Sequence, residues 1–143
     1  RFDVHAKSGR LIYIDDYAHH PREIEASLSS IREMWPDKRL TVAFQPHLYS
    51  RTNDFYPEFA KSLNLADQVI LLDIYPAREQ PIPGVTSGLI AERLTVPFVW
   101  VTKEEFPEYV KENVKEGIFM TVGAGDIDRF IPIFTEMFGG TDC

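Results

Sequence analysis

Asp15, Asp16, Tyr17, His19 and His20 place a carboxylate pair, a phenol and two imidazoles directly behind the apolar run 11–14. Carboxylates accept from hydroxyls or backbone N–H groups, and imidazoles line polar pockets or ligate metals. His19 and His20 are adjacent, so their side chains diverge, and no third ligand is spaced nearby. Polar lining of a pocket is therefore the preferred reading, with a metal pair and plain solvent exposure as the alternatives. A second cluster, Gln45, His47, Tyr49, Arg51 and Thr52, follows the apolar run 40–44. Arg51 offers a guanidinium fork suited to a carboxylate, or else a surface salt bridge. A third run, 73–87, follows 69–72, and the turn Gly123-Ala124-Gly125-Asp126 follows 118–122. No residue resembles a nucleophile with a base beside it, which is consistent with chemistry in which substrates react with each other.

These clusters need elements that deliver them to one place. Runs 4–6 and 11–14 flank Lys7-Ser8-Gly9-Arg10 and predict a hairpin. Pro21 suits a first helical position, and Ile24, Leu28 and Ile31 predict a helix ending near Trp35-Pro36. Alternation continues with strands near 40–44, 69–73, 98–101 and 118–122, and helices near 54–63, 87–94, 104–114 and 126–138. Such alternation implies right-handed βαβ units. The predicted class is an α/β, Rossmann-like three-layer domain with a mostly parallel sheet of about six strands, beginning with a hairpin. In such sheets ligands bind outside the carboxyl ends of the strands, where every polar cluster falls. Tyr49 and Tyr75 read as packing residues, Arg78 and Glu79 as a loop ion pair or a substrate contact. Thr86 and Ser87 read as caps of the following helix, and Asp126 as the cap of the last one.

The 143 residues suit one domain over residues 1–138, with 139–143 as a disordered tail. A net charge of -7 argues against nucleic-acid and membrane surfaces, which call for clustered Lys and Arg. No apolar run approaches the roughly 20 residues that span a bilayer, and no secretory leader opens the chain, so a cytoplasmic parent is expected. The lone Cys143 excludes an intramolecular disulfide. The abrupt start at Arg1, without Met, reads as a fragment of a larger protein. No G-x-x-x-x-G-K-[ST] string occurs, and Gly-Ala-Gly-Asp lacks the third glycine of a phosphate turn.

Taken in order, Asp-Asp-Tyr-Ala-His-His-Pro at 15–21, Gln-Pro-His-Leu-Tyr-Ser-Arg-Thr at 45–52 and the Gly-Ala-Gly-Asp turn resemble the C-terminal domain of the Mur ligases. Within that family the strings are nearest the branch that adds L-alanine to UDP-N-acetylmuramate. The resemblance implies an ATP- and Mg2+-dependent ligase of peptidoglycan synthesis, working through an acyl phosphate. N-terminal and central domains of the same chain would carry the phosphate loop and most metal ligands, so this piece alone would be inactive. It implies nucleotide contacts at Arg1, Asp16 and Tyr17, and amino-acid contacts at His19, His20, His47 and Arg51, with no catalytic or metal-ligating residue here. The family pattern often has a second arginine where this chain has Leu48. The related tripeptide-recycling ligase shares much of the pattern, and a non-catalytic Rossmann-like module is the other alternative.

Overall fold

The computed structural model describes residues 2–139. Strands β1 (Phe2–Lys7) and β2 (Leu11–Asp16) form the antiparallel hairpin, its turn held by the Leu11 amide donating to Ser8 Oγ at 3.1 Å. The remaining strands are β3 (Leu40–Phe44), β4 (Gln68–Leu72), β5 (Phe98–Val101) and β6 (Gly117–Val122). They complete a six-stranded sheet of order β1-β2-β6-β3-β4-β5, parallel from β2 onward.

Helices α1 (Pro21–Met34), α2 (Tyr49–Leu63) and α3 (Gly88–Ala91) cover one face. Ile24, Leu28 and Ile31 of α1 and Phe59 and Leu63 of α2 meet the strand residues Ile14, Val42, Phe44 and Met120 there. Helices α4 (Phe106–Asn113) and α5 (Ile131–Gly139) cover the other face, where Tyr13, Phe106 and Phe119 pack edge-on around Phe134. Each fully buried side chain of this size stabilises by about 1.5–3 kcal/mol, so both layers are held by the same apolar pattern that predicts them.

Three boundaries differ from expectation. Helix α2 begins at Tyr49 rather than 54, which leaves Pro57 inside the helix instead of in its first turn. Helix α3 is four residues long, and the bonds around it, such as Leu89 N to Thr86 O and Leu94 N to Ala91 O, span three residues. The last helix is preceded by a 3-10 turn, Asp126–Phe130, because Pro132 lacks the N–H that would continue one α-helix through both segments. The expected tail also starts within α5, which includes Gly139. Arg1 and residues 140–143, Cys143 among them, lie outside the described residues.

Register brings the polar clusters level. Asp16 and Phe44 both pair with Val122, so β2, β6 and β3 end together. Strands β2 and β3 pass to helices on one face, while β6 between them passes to the other. A crevice opens where neighbouring connections part, and the loops after β2, β3, β4 and β6 line it. Among the described residues, no helix is long and apolar enough to cross a membrane.

Candidate functional site

The loop after β2 is built on Asp16. This carboxylate is 1% exposed, accepts from the Ala18 amide at 2.9 Å through Oδ1, and accepts from Ser27 Oγ of α1 through Oδ2. A buried acid so engaged ties strand end, loop and helix together. Asp15 points to the opposite layer, where Thr121 Oγ1 donates to its Oδ1 at 2.8 Å and stands 3.0 Å from Tyr13 OH. Burial pushes the Asp15 carboxyl above its ordinary value, against the Thr121 hydrogen bond.

The two adjacent imidazoles diverge, as their spacing predicts. His20 is the N-cap of α1: its Nδ1 accepts from the Arg22 amide at 3.2 Å, while Glu23 Oε1 accepts from the His19 and His20 amides at 3.1 Å. This reciprocal box satisfies orphan N–H groups of the first turn. The Glu23 carboxyl is held below its ordinary value, chiefly by the His19 amide. With Nδ1 accepting, the neutral His20 ring carries its proton on Nε2, and the ring rests against Phe55 with centroids 5.3 Å apart. His19 turns the other way, toward His47, at 6.2 Å between centroids, and Tyr17 beside it is 62% exposed.

His47 stands between His19 and Tyr75. The Tyr75 ring stacks on it at 5.7 Å and 13°, and the backbone fixes the pair: the Leu48 amide donates to Tyr75 O and the Tyr75 amide to Pro46 O, each at 2.8 Å. Tyr75 is thus a wall of the site as well as a packing residue. Burial lowers the His47 pKa, and the nearby Arg51 charge and His19 lower it further. Nδ1 of His47 is buried without a hydrogen-bond partner among the described residues. The guanidinium of Arg51, in the first turn of α2, makes no hydrogen bond or ion pair with another described residue, and its charge bears on His47. In an NMR titration His47 should protonate below the usual imidazole range, and Arg51→Ala should move its midpoint upward. A normal midpoint in the unmodified protein would contradict this electrostatic arrangement.

The structure therefore gathers His19, His47 and Arg51 at one edge, with Tyr17 exposed beside them. It turns His20 into a helix cap and sets Asp16 beneath the loop. Three further residues hold the edge together. Gln45, 2% exposed, donates from Nε2 to Asp126 Oδ1 at 2.6 Å and accepts from the Ile127 amide at 3.1 Å, clamping the β6 turn to the end of β3. Gly125 fits under this clamp because a Cβ there would stand 2.6 Å from Gln45 Oε1 and 2.8 Å from Tyr75 Cβ. Ser27 anchors Asp16. Glu79 does not pair with Arg78: its carboxylate accepts from the Ser50 amide at 3.1 Å and from Ser50 Oγ at 2.5 Å. These hydrogen bonds hold the Glu79 carboxyl below its ordinary value.

The caps after β4 and β6 also differ from expectation. Thr86 Oγ1 accepts from the Gly88 amide at 3.1 Å, whereas Ser87 Oγ donates to Leu72 O. Gly125, not Asp126, is the N-cap of the 3-10 turn, and Asp126 instead pairs with Lys103 Nζ at 2.6 Å. Of these holding residues, Gln45 was signalled by its place directly after an apolar strand. Nothing local to Glu79 pointed to a partner 29 residues away.

A concavity of about 390 Å³ lies at the opposite, amino-terminal ends of the strands, lined by Arg10, Lys38, Arg39 and Glu116. It is rimmed by turn residues and carries none of the grouped imidazoles. Among the described residues, no three His, Cys, Asp or Glu side chains are grouped to hold a metal ion.

The chain is 52% identical over 134 residues to UDP-N-acetylmuramate--L-alanine ligase of Phocaeicola vulgatus, spanning 92% of this chain and 29% of that protein. It is 49% identical to the protein of the same name in Parabacteroides distasonis, spanning 96% of this chain and 30% of that protein. The chain thus covers under a third of these relatives. In structure it resembles UDP-N-acetylmuramate-alanine ligase of Thermotoga maritima, with 28% identity and a TM-score of 0.68 over 92% of this chain and 27% of that one. The fold alone is shared with a murein peptide ligase of Psychrobacter arcticus, with 17% identity and a TM-score of 0.75 over 96% of this chain and 29% of that one. The profile of the Mur ligase, glutamate ligase domain, matches residues 1–125, and the chain belongs to the Mur ligase family.

Proposed function

We propose that this chain is the amino-acid- and nucleotide-contacting C-terminal domain of a cytoplasmic, ATP-dependent ligase that joins L-alanine to UDP-N-acetylmuramate in peptidoglycan biosynthesis. The observation that carries the reading is Arg51: a guanidinium without an ion pair among the described residues, beside His47 at the carboxyl edge of the sheet. A small zwitterion needs a fixed cation for its carboxylate, and Arg51 supplies one. His47 and His19 border the same space as polar walls. His20 takes part through the cap that sets the direction of α1 and hence of the loop carrying His19.

The nucleotide side of the proposal rests on Tyr17 and Asp16. Tyr17 exposes a ring at the crevice, and Asp16 sets the loop that presents it. In this reading Asp16, at the end of β2 beside Tyr17, also meets the ribose hydroxyls, for which a carboxylate with two acceptor oxygens is chemically suited. Arg1, the third nucleotide contact implied by the resemblance, lies outside the described residues. ATP supplies the phosphoryl group that activates the carboxylate of UDP-N-acetylmuramate. In this reading the Mg2+ that such phosphoryl transfer uses is held by the N-terminal and central domains of the parent chain. The contribution of this domain is orientation and charge complementarity for the incoming amine.

Phosphate release by the full-length ligase, with ATP, UDP-N-acetylmuramate and a panel of L-alanine, glycine, L-serine and an alanyl tripeptide, tests the assignment. Preference for L-alanine is expected. Preference for the tripeptide would make the protein the recycling ligase, and no amino-acid-dependent turnover would favour a non-catalytic module.

A further inference from the structure

Helix α2 has no cap of its own. Leu48 occupies the N-cap position with φ 75° and no side-chain hydrogen bond. An aliphatic side chain offers no acceptor, and a positive φ is uncommon for such a residue. The acceptor arrives from the loop after β4, where Glu79 binds both the amide and the hydroxyl of Ser50. The same loop is fastened on the other side of Leu48 by the backbone bridge between His47 and Tyr75. The segment bearing His47 and Arg51 is thus clasped at two points by residues 75–79.

We propose that Glu79 is a positioning residue of the amino-acid subsite: it caps α2 from the neighbouring loop and so holds Arg51 ready for the substrate carboxylate. This rests on the amino-acid role proposed above for Arg51. The two hydrogen bonds from Ser50 occupy both Glu79 oxygens, so the acid holds the helix without pairing with Arg51. It thereby lends the first turn a favourable negative charge while leaving the Arg51 guanidinium unneutralised for the substrate carboxylate. Arg78, its sequence neighbour, is exposed and forms no ion pair with it.

The test uses the full-length ligase. Loss of a cap is worth roughly a 2- to 30-fold factor, so Glu79→Ala should raise KM for L-alanine within about that range. KM for ATP and for UDP-N-acetylmuramate, and kcat at saturating L-alanine, should stay within about twofold, the scatter of a substitution that leaves a site untouched. Glu79→Gln keeps an acceptor for the Ser50 amide and should recover most of the loss. If Glu79→Ala does not accumulate, Glu79→Asp, whose shorter side chain withdraws the acceptor, should show the same selective defect. An unchanged KM for L-alanine, a loss spread equally over all three substrates, or a glutamine variant as impaired as alanine would overturn the proposal. Arg51→Ala in the same assay separates the two layers. If it leaves KM for L-alanine unchanged, the anchor itself is misassigned; if it raises KM while Glu79→Ala does not, only the role of Glu79 falls.

Discussion

Arg51→Ala in the full-length ligase is expected to raise KM for L-alanine about 10- to 100-fold, the equivalent of the roughly 1.5–3 kcal/mol of a charge-assisted hydrogen bond. Formation of the acyl phosphate should remain intact, because that step needs only ATP and UDP-N-acetylmuramate. The selectivity follows from the geometry: Arg51 has no described partner whose loss would disturb the fold, and its side chain is only half-buried. Single-turnover trapping of the acyl phosphate together with steady-state titration of each substrate distinguishes the two steps. Lysine at this position should rescue only in part, since a point charge lacks the planar fork.

Asp16→Ala should destabilise the domain by about 2–4 kcal/mol, because it strands the buried Ala18 amide and Ser27 hydroxyl without their acceptor. Equilibrium urea denaturation measures this directly. Asp16→Asn should cost less, since one oxygen still accepts from Ala18, and Ser27→Ala should cost less than Asp16→Ala because the Ala18 bond survives. The same variants address the nucleotide. If Asp16 also meets the ribose, Asp16→Asn should raise KM for ATP more than Ser27→Ala does, although both loosen the same clamp. Equal effects would confine Asp16 to positioning the loop.

How much of this was legible in the sequence depended on the range of the interaction. The hairpin, α1 and the parallel strands were readable because their signals are local: alternating apolar runs, Pro21 at a helix start, and a helical period through Ile24, Leu28 and Ile31. The convergence of Asp16, His47 and the Gly123 turn at one edge followed from the alternation of strands and helices. The start of α2 was not readable, because its cap is Glu79, far away in the chain. The same distance hid the role of Glu79, whose neighbour Arg78 offered a simpler pairing. His20 was legible as a polar group at a strand end but not as a cap, a task more often given to Ser, Thr, Asp or Asn.

The central claim is that Arg51 holds the carboxylate of the incoming amino acid, and a substrate cycle tests it most directly. KM would be measured for L-alanine and for L-alaninamide, which lacks the carboxylate charge, with the unmodified ligase and with Arg51→Ala. The account predicts that the unmodified enzyme loses about 10- to 100-fold on going to the amide, and that the variant loses little more, because the two changes remove one interaction. Independent, additive losses would contradict it and move the carboxylate anchor to another residue.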